Sequence, residues 1–436
     1  MKKALVVLTL LTAFCAGVFA GESANQDILL TFDGFARIRY EFLNNNTTLG
    51  SSNDERDYFR FKFSGGLRAD LFNMFSVYGK FTTESRSYIY NAGGDAKYDI
   101  NETAVDNLYI SIPKLFEKID VKIGRMDLLP SEYGEGFLIG DGTPLDGSRT
   151  YYFNAAKIKY NIPDADASIE ILSVYNSEFD DLPVINDKDA KINDSQESAF
   201  IAYGKAQATS KLYVEPYYMF KTEHETDTPE NSYAHQKIAL NTFGSYLKYD
   251  LNPVTLRAQA ALQLGSYGNE TGKAFGGYIY ADVPLLDIFK PLSLGYVYLS
   301  GDDYDTKTVE AWNPLFSRYP WISEILVMLY RTESGAGYLT NLQMGRLTAT
   351  FKPFEKMTIN ASYNLLYANE SVRGSGTASV FGDGINRGTL IICKTSYKFS
   401  EIFSAYILGE YFVPGDFYYK DAKDAAFIRA EFSAKI

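Results

Sequence analysis

The chain has 436 residues, with 42 Lys and Arg against 54 Asp and Glu, and its acidic balance of −12 argues against a nucleic-acid partner. Its 35 Tyr and 30 Phe against only 2 Trp suit strands, interfacial girdles and a polar lumen. Beyond residue 20 no stretch approaches the roughly 20 apolar residues of a membrane helix.

In chain order, Lys2 and Lys3 precede an apolar run from Ala4 to Val18, and Val18-Phe19-Ala20 supplies small residues for cleavage. Residues 1–20 therefore read as a signal peptide cut after Ala20, followed by one domain over residues 21–436. Cys15 follows the bulky Phe14, which disfavours a lipoprotein signal. Only Cys393 would survive cleavage, so no intramolecular disulfide is expected. Loss of Lys2 and Lys3 shifts the balance to −14.

Alternation is the main signal downstream. Ala36, Ile38, Tyr40 and Phe42 oppose Phe35, Arg37, Arg39 and Glu41, and Phe59 to Leu71 alternate with Tyr58, Arg60, Lys62, Ser64, Gly66, Arg68 and Asp70. The pattern recurs in Val254–Gly265 and Met357–Tyr367, and it predicts about 18 strands. Several run longer than the ~5–6 residues of soluble sheets and fit a tilted membrane crossing. Strands at 166–177, 236–249 and 386–399 have poor phase, which predicts bulges there or boundaries displaced by about two to four residues.

The connections sort by parity. Short links follow even strands, at Asn73, Pro113–Lys118, Pro163–Asp166, Ser210–Lys211, Asp250–Pro253, Pro284–Pro291, Lys352–Lys356 and Ser400–Glu401. Long polar ones follow odd strands, at 44–57, 87–102, 128–150, 178–197, 222–235, 266–273, 301–338, 369–386 and 414–424. Short turns on one rim and long loops on the other are what an outer-membrane barrel shows, whereas a soluble sandwich has no reason to sort them. The last segment, Ala426 to Ile436, alternates to the terminus and can close the barrel against the first strand. The expected fold is an all-β transmembrane antiparallel barrel.

Residues 124–153 contain Gly124-Arg125 at a strand end, then a glycine-rich acidic loop with Asp146-Gly147-Ser148-Arg149. Farther on come Tyr298-Leu299-Ser300-Gly301-Asp302-Asp303 and Asn313-Pro314-Leu315-Phe316. These blocks resemble the alginate-export family of outer-membrane porins. The resemblance implies a monomeric 18-stranded barrel with an arginine-lined, electropositive lumen narrowed by loops or a lid. It does not imply that alginate is the solute.

By alternation, Arg37, Arg39, Arg60, Lys62, Arg68, Lys80, Arg86 and Lys122 face inward from the first five strands, while Arg125 and Arg149 flank the glycine-rich loop. Guanidinium forks match carboxylates, so a ladder of them would draw an anionic sugar or acid through successive weak sites. Alternatively, the same cations pair with Glu41, Asp70, Glu84 and Asp127 to hold the barrel's shape. The candidate substrate contacts are Arg37, Arg39, Arg60, Lys62, Arg86, Arg125 and Arg149. Loops 128–150 and 301–338 are long enough to fold inward. Residues 321–330 predict a short helix with Trp321, Ile322, Ile325, Leu326 and Leu329 on one side. Gly142 and Gly147 suit turns.

No cofactor is expected. The clusters Asp141…Asp146 and Asp302-Asp303…Asp305 offer oxygen ligands of the kind calcium takes, at spacings that match no known calcium loop. Catalysis is not expected, since His224 and His235 are the only histidines and neither neighbours a nucleophile. The expected function is passive diffusion of anionic solutes across the outer membrane of a Gram-negative-type (diderm) bacterium. Expected partners are outer-membrane lipid and lipopolysaccharide, an anionic small-molecule or polysaccharide solute, and the barrel-assembly machinery. A non-selective general porin, or a structural or adhesive barrel, are the alternatives.

Overall fold

Alternation of apolar and polar side chains over eighteen segments produces eighteen strands, because each crossing must show one face to lipid and the other to the lumen. The computed structural model describes residues 28–436 except 51, 93–97, 141–152, 164, 181–189, 192–194, 226–235, 286–288, 318–319, 335–338 and 372–379. The strands are β1 (Ile28–Asn44), β2 (Arg56–Leu71), β3 (Phe75–Asn91), β4 (Tyr98–Leu115), β5 (Ile119–Met126) and β6 (Phe153–Asn161). Next come β7 (Ala167–Asn176), β8 (Glu197–Gln207), β9 (Leu212–Glu223), β10 (Ile238–Asp250), β11 (Thr255–Tyr267) and β12 (Glu270–Val283). The last six are β13 (Phe289–Leu299), β14 (Leu342–Phe354), β15 (Met357–Tyr367), β16 (Asn386–Lys398), β17 (Phe403–Pro414) and β18 (Ala425–Lys435). Among the described residues one α-helix, α1 (Glu324–Ser334), lies in the link between β13 and β14. The predicted signal peptide lies outside the described residues.

Each strand pairs antiparallel with its sequence neighbours, and β1 closes on β18. The seam reaches the last residue: Gly34 N–H donates to the Ile436 carbonyl at 3.1 Å, and Ile436 N–H to that of Gly34 at 2.9 Å. Closure pairs the first strand with the last over Phe35–Asn44, where an open edge would be penalised by hydrocarbon. The outer face carries Ile38, Phe63, Phe81, Ile123, Ile171, Phe220, Phe243, Ile279, Leu347, Ile391 and Phe432, all exposed. Exposed aromatics sit at both ends of the belt: Phe116, Phe354 and Phe399 by the short turns, Tyr90, Tyr175 and Tyr367 by the long loops. The wall is uneven, because β1–β4 run 16–18 residues while β5 has only 8.

Sorting of the connections holds with one exception. The segment 266–273, expected as a long loop, is a hairpin turning on Gly268 and Asn269. Its polar residues continue the ladder, Ser266 opposite Thr271 and Tyr267 opposite Glu270, and Gly268 takes the left-handed φ of +58° that the tight turn requires. Composition misled here, because a strand end that rises out of lipid is as polar as a loop.

Of the three places where bulges are expected, one has a register shift. The ladders at 166–177 and 236–249 run without a register shift. Near 386–399 there is one shift, beside Gly388 at φ +120°. The larger irregularity lies between β3 and β4, at Lys80/Phe81 and Glu84/Ser85. There it lets two consecutive polar residues, Asp106 and Asn107, both be buried, where strict alternation would send one to lipid.

Candidate functional site

Inside the barrel, strand register builds a charged wall on β1–β4 and β18. One row across the sheet places Glu431, Arg39, Arg60 and Arg86 side by side, and the next places Ser433, Arg37, Lys62 and Glu84. Like charges directly opposite repel. Carboxylates from adjacent rows offset this. Arg60, only 2% exposed, donates to Glu84 at 2.6 Å and to Glu41 at 3.2 Å. Arg37 reaches Glu84 at 2.6 Å, and Arg39 grips Glu431 through Nε at 2.7 Å and Nη2 at 2.6 Å. Arg429 binds Glu41 through Nε at 2.6 Å. Below this network, Lys80 lies 3.1 Å from Asp106 and 3.3 Å from Asp127.

Not every cation is neutralised. Among the described residues the Lys62 ammonium has no hydrogen-bond or ion-pair partner, although Lys62 is largely buried, and the buried Nε of Arg37 makes no hydrogen bond. Lys122 sits over the Tyr109 ring at 3.9 Å and Lys394 over the Tyr406 ring at 4.2 Å, cation–π contacts in place of an ion pair among the described residues.

The opposite wall, β6–β14, is tyrosine-rich and covered by chain from two long connections. After β5, residues 127–140 descend along it. Tyr133 donates to Glu170 at 2.9 Å and accepts from Lys157 at 3.1 Å, and its ring meets Tyr203 edge-on. Burial, and then the neighbouring Glu170, hold its phenol well above the usual range. Gly134 passes against the Gln259 amide at a left-handed φ of +53°. Glu135 is ion-paired with Arg257, which Asp282 also holds at 2.6 Å. Ile139–Gly140 pairs in parallel with Phe316–Ser317 of the longer connection, so the two segments form one unit. Its centre is aromatic: Phe137 stacks on Trp312 at 5.1 Å and meets Trp321 at 5.5 Å. The wall holds this unit through Gln263, which exchanges hydrogen bonds with Asn313, and Lys221, which donates to the Leu315 carbonyl at 2.8 Å.

Helix α1 spans Glu324–Ser334 rather than the expected 321–330. Trp321 and Ile322 precede it because Ser323 is the N-cap: its Oγ accepts from the Leu326 N–H at 3.2 Å. Ser323 Oγ in turn donates to Glu410 of β17 at 2.5 Å, and the same carboxylate accepts from the N–H groups of Glu324 and Ile325, both at 3.0 Å. A wall carboxylate thus sits on the positive end of the helix. At the other end, Glu333 accepts from Arg387 and from the Tyr418 hydroxyl, each at 2.8 Å. Ile325, Leu326, Leu329 and Tyr330 are buried.

Of the residues singled out from sequence, Arg37, Arg39, Arg60 and Lys62 come together in the charged wall, with Arg86 in the same rows. Lys80 and Lys122 lie nearby. Arg68, 47% exposed, pairs with Asp70 toward the short-turn rim. Arg125 shares the parity of the exposed Ile123, not of Lys122, and bonds the Val105 carbonyl at 2.9 Å and Asn154 at 3.3 Å. Arg149, Gly142, Gly147, Asp141, Asp146 and His235 lie outside the described residues. Asp302 and Asp303 accept from the backbone N–H groups of Glu310 and Asp305. His224 is exposed beyond the end of β9. Sequence reading missed Arg429, Arg387 and Glu410. Their strand parity marks them as inward, but nothing local tells that a loop helix will meet them.

A closed eighteen-strand antiparallel barrel with a lipid-facing apolar belt and a charged interior defines an outer-membrane channel protein. The chain belongs to the alginate export family, whose model matches residues 29–429. Nothing matches among the curated proteins. Among solved structures, OccK2 (OpdF) of Pseudomonas aeruginosa in complex with glucuronate is 13% identical, with a TM-score of 0.58, covering 94% of this chain and 99% of that one. A BenF-like porin from Pseudomonas fluorescens Pf-5 is 10% identical, with a TM-score of 0.59 and coverages of 93% and 98%. OccAB4 of Acinetobacter baumannii is 11% identical, with a TM-score of 0.57 and coverages of 95% and 100%. At such identities the likeness is one of fold. Family and fold point to a non-enzymatic channel.

Proposed function

We propose that this protein is a passive channel of the outer membrane of a Gram-negative-type (diderm) bacterium, admitting anionic solutes along the charged wall. The observation that carries this reading is a set of inward cations, on that wall and on strands beside it, that lack an ion-pair partner. Arg37, Arg39, Arg60 and Arg429 meet carboxylates, but among the described residues Lys62, Lys122 and Lys394 have no carboxylate within ion-pair distance. Such groups behind a low-dielectric wall attract an anion without holding it tightly, which conduction requires. The glucuronate in the OccK2 structure makes sugar acids the natural class of solute to try. In this reading the chain works as a monomer, in contact with lipid and lipopolysaccharide and inserted by the barrel-assembly machinery.

The test is the reversal potential of the protein in planar bilayers under a KCl gradient. Anion preference is expected, reduced in Lys62→Ala and Lys394→Ala. Cation preference, or a preference indifferent to both substitutions, would overturn the proposal. A barrel that never conducts would favour an adhesive or structural role.

A further inference from the structure

The charged wall does not stop at the wall. Arg37 joins Glu84, Glu84 joins Arg60, Arg60 joins Glu41 and Glu41 joins Arg429, and Arg429 then pairs through Nη1 with Glu324, the first residue of α1. Every other carboxylate in this chain of contacts belongs to a strand. Glu324 alone arrives on a loop. Glu41 occupies the Nε and Nη2 edge of Arg429, which leaves Nη1 for Glu324. A loop carboxylate fills the position that an anionic solute's carboxylate would take.

The docking at this end is also imperfect. The second oxygen of Glu324, Oε2, is buried and has no hydrogen-bond partner among the described residues. A buried, unsatisfied carboxylate oxygen is a standing cost to the docked position. Glu410 lies at the same helix end, so two carboxylates share one N-terminus. The far end contrasts with this. Both oxygens of Glu333 are satisfied, and the Arg387 guanidinium that holds one of them packs over Phe417 at 4.1 Å and Tyr330 at 4.5 Å. Both carboxylate oxygens are thus satisfied at Glu333, whereas at Glu324 one is not.

We propose that Glu324 is a tethered competitor for the solute's acid group at Arg429. Docking of the N-terminal end of α1 and occupancy of Arg429 by an anionic solute then exclude one another. A carboxylate solute that takes the Nη1 edge releases that end of the helix, which pivots about its Glu333 contacts. Neutral solutes lack the group that displaces Glu324 and leave the helix docked. The inference rests on the anion-channel reading and adds a selectivity step to it.

Single-channel recording in KCl, with sodium glucuronate as the acid and glucose as its uncharged counterpart, tests this. Glucuronate is expected to raise the open probability of the parent channel while glucose does not. Glu324→Gln keeps the side chain's size but removes its charge, and is expected to shift the closed–open equilibrium roughly tenfold toward open. It should also abolish the response to glucuronate. As a second arm, Ser323→Cys with Glu410→Cys, in a Cys393→Ser background, should lock the end shut under oxidation and free it under reductant. An anion-selective parent whose open probability and glucuronate response are unchanged by Glu324→Gln would overturn the assignment of Glu324 alone. A cation-selective parent would overturn the channel reading beneath it.

Discussion

Arg39 and Arg60 face each other directly across the β1–β2 ladder, and Arg60 faces Arg86 across the next. Three guanidiniums in one row are tolerated because Glu431, Glu41 and Glu84 supply carboxylates around them. The arrangement is both a structural clamp and the source of the wall's polarity, so the two readings that the sequence leaves open describe the same residues.

Removal of Glu84 should separate buried from exposed pairing. Glu84→Gln strips a partner from Arg37 and from the 2%-exposed Arg60, and breaking a buried pair costs about 3–5 kcal/mol. Asp70→Asn removes the partner of Arg68, which is 47% exposed, and should cost under about 1 kcal/mol. Urea unfolding of the detergent-solubilised barrel, followed by its far-ultraviolet signal, gives both values. Equal shifts would show that burial of the network is not what holds it.

Gly276 leaves room for Trp312. A Cβ there would lie 2.6 Å from the indole ring, so Gly276→Ala must push Trp312 off its site. The two tryptophans of the chain, Trp312 and Trp321, both lie in the inward-folded unit, so tryptophan emission excited beyond the tyrosine absorption band reports on it alone. A red shift and greater quenching by acrylamide are expected, with faster trypsin cleavage at the exposed Lys307 and no change in strand content. An unshifted spectrum would mean that the unit absorbs the extra methyl without moving.

Tyr133 anchors residues 130–136 as a hydrogen-bond donor, and its raised pKa has a definite sign. A group that binds its proton more tightly when folded contributes stability below its unfolded pKa and loses it as pH rises through the folded one. The segment should therefore hold through neutral and mildly alkaline pH and loosen only in strong alkali. In a spectrophotometric titration, Tyr133→Phe is expected to leave the phenolate transition near pH ~10 unchanged. A smaller transition in the variant would show that Tyr133 ionises normally.

Strand number, the sorting of links and the inward cations were legible because each depends on a period of two that lipid and water enforce along the chain. The hairpin at Gly268–Asn269 was not, since polarity marks both loops and strand ends outside lipid. The β3–β4 bulge was not either, because its cause is the partnering of Asp106 with Thr82 and Lys80, residues on another strand. The docking of α1 depends on Glu410, Arg429 and Arg387, which lie 53 or more positions beyond the helix. Contacts at that separation leave no local trace. They follow from how far the loop reaches once the barrel has closed.

The seam between β1 and β18 joins residues from opposite ends of the chain, and two of the wall's ion pairs, Arg39–Glu431 and Glu41–Arg429, cross it. Until the final strand arrives, Arg39 and Glu41 therefore lack these partners. A truncated or stalled polypeptide leaves Arg39 and Glu41 with only the pairs of the first hairpin, Arg39–Glu41 and Glu41–Arg60. The full set of ion pairs in the charged lining and the closed cylinder thus come into being in the same event.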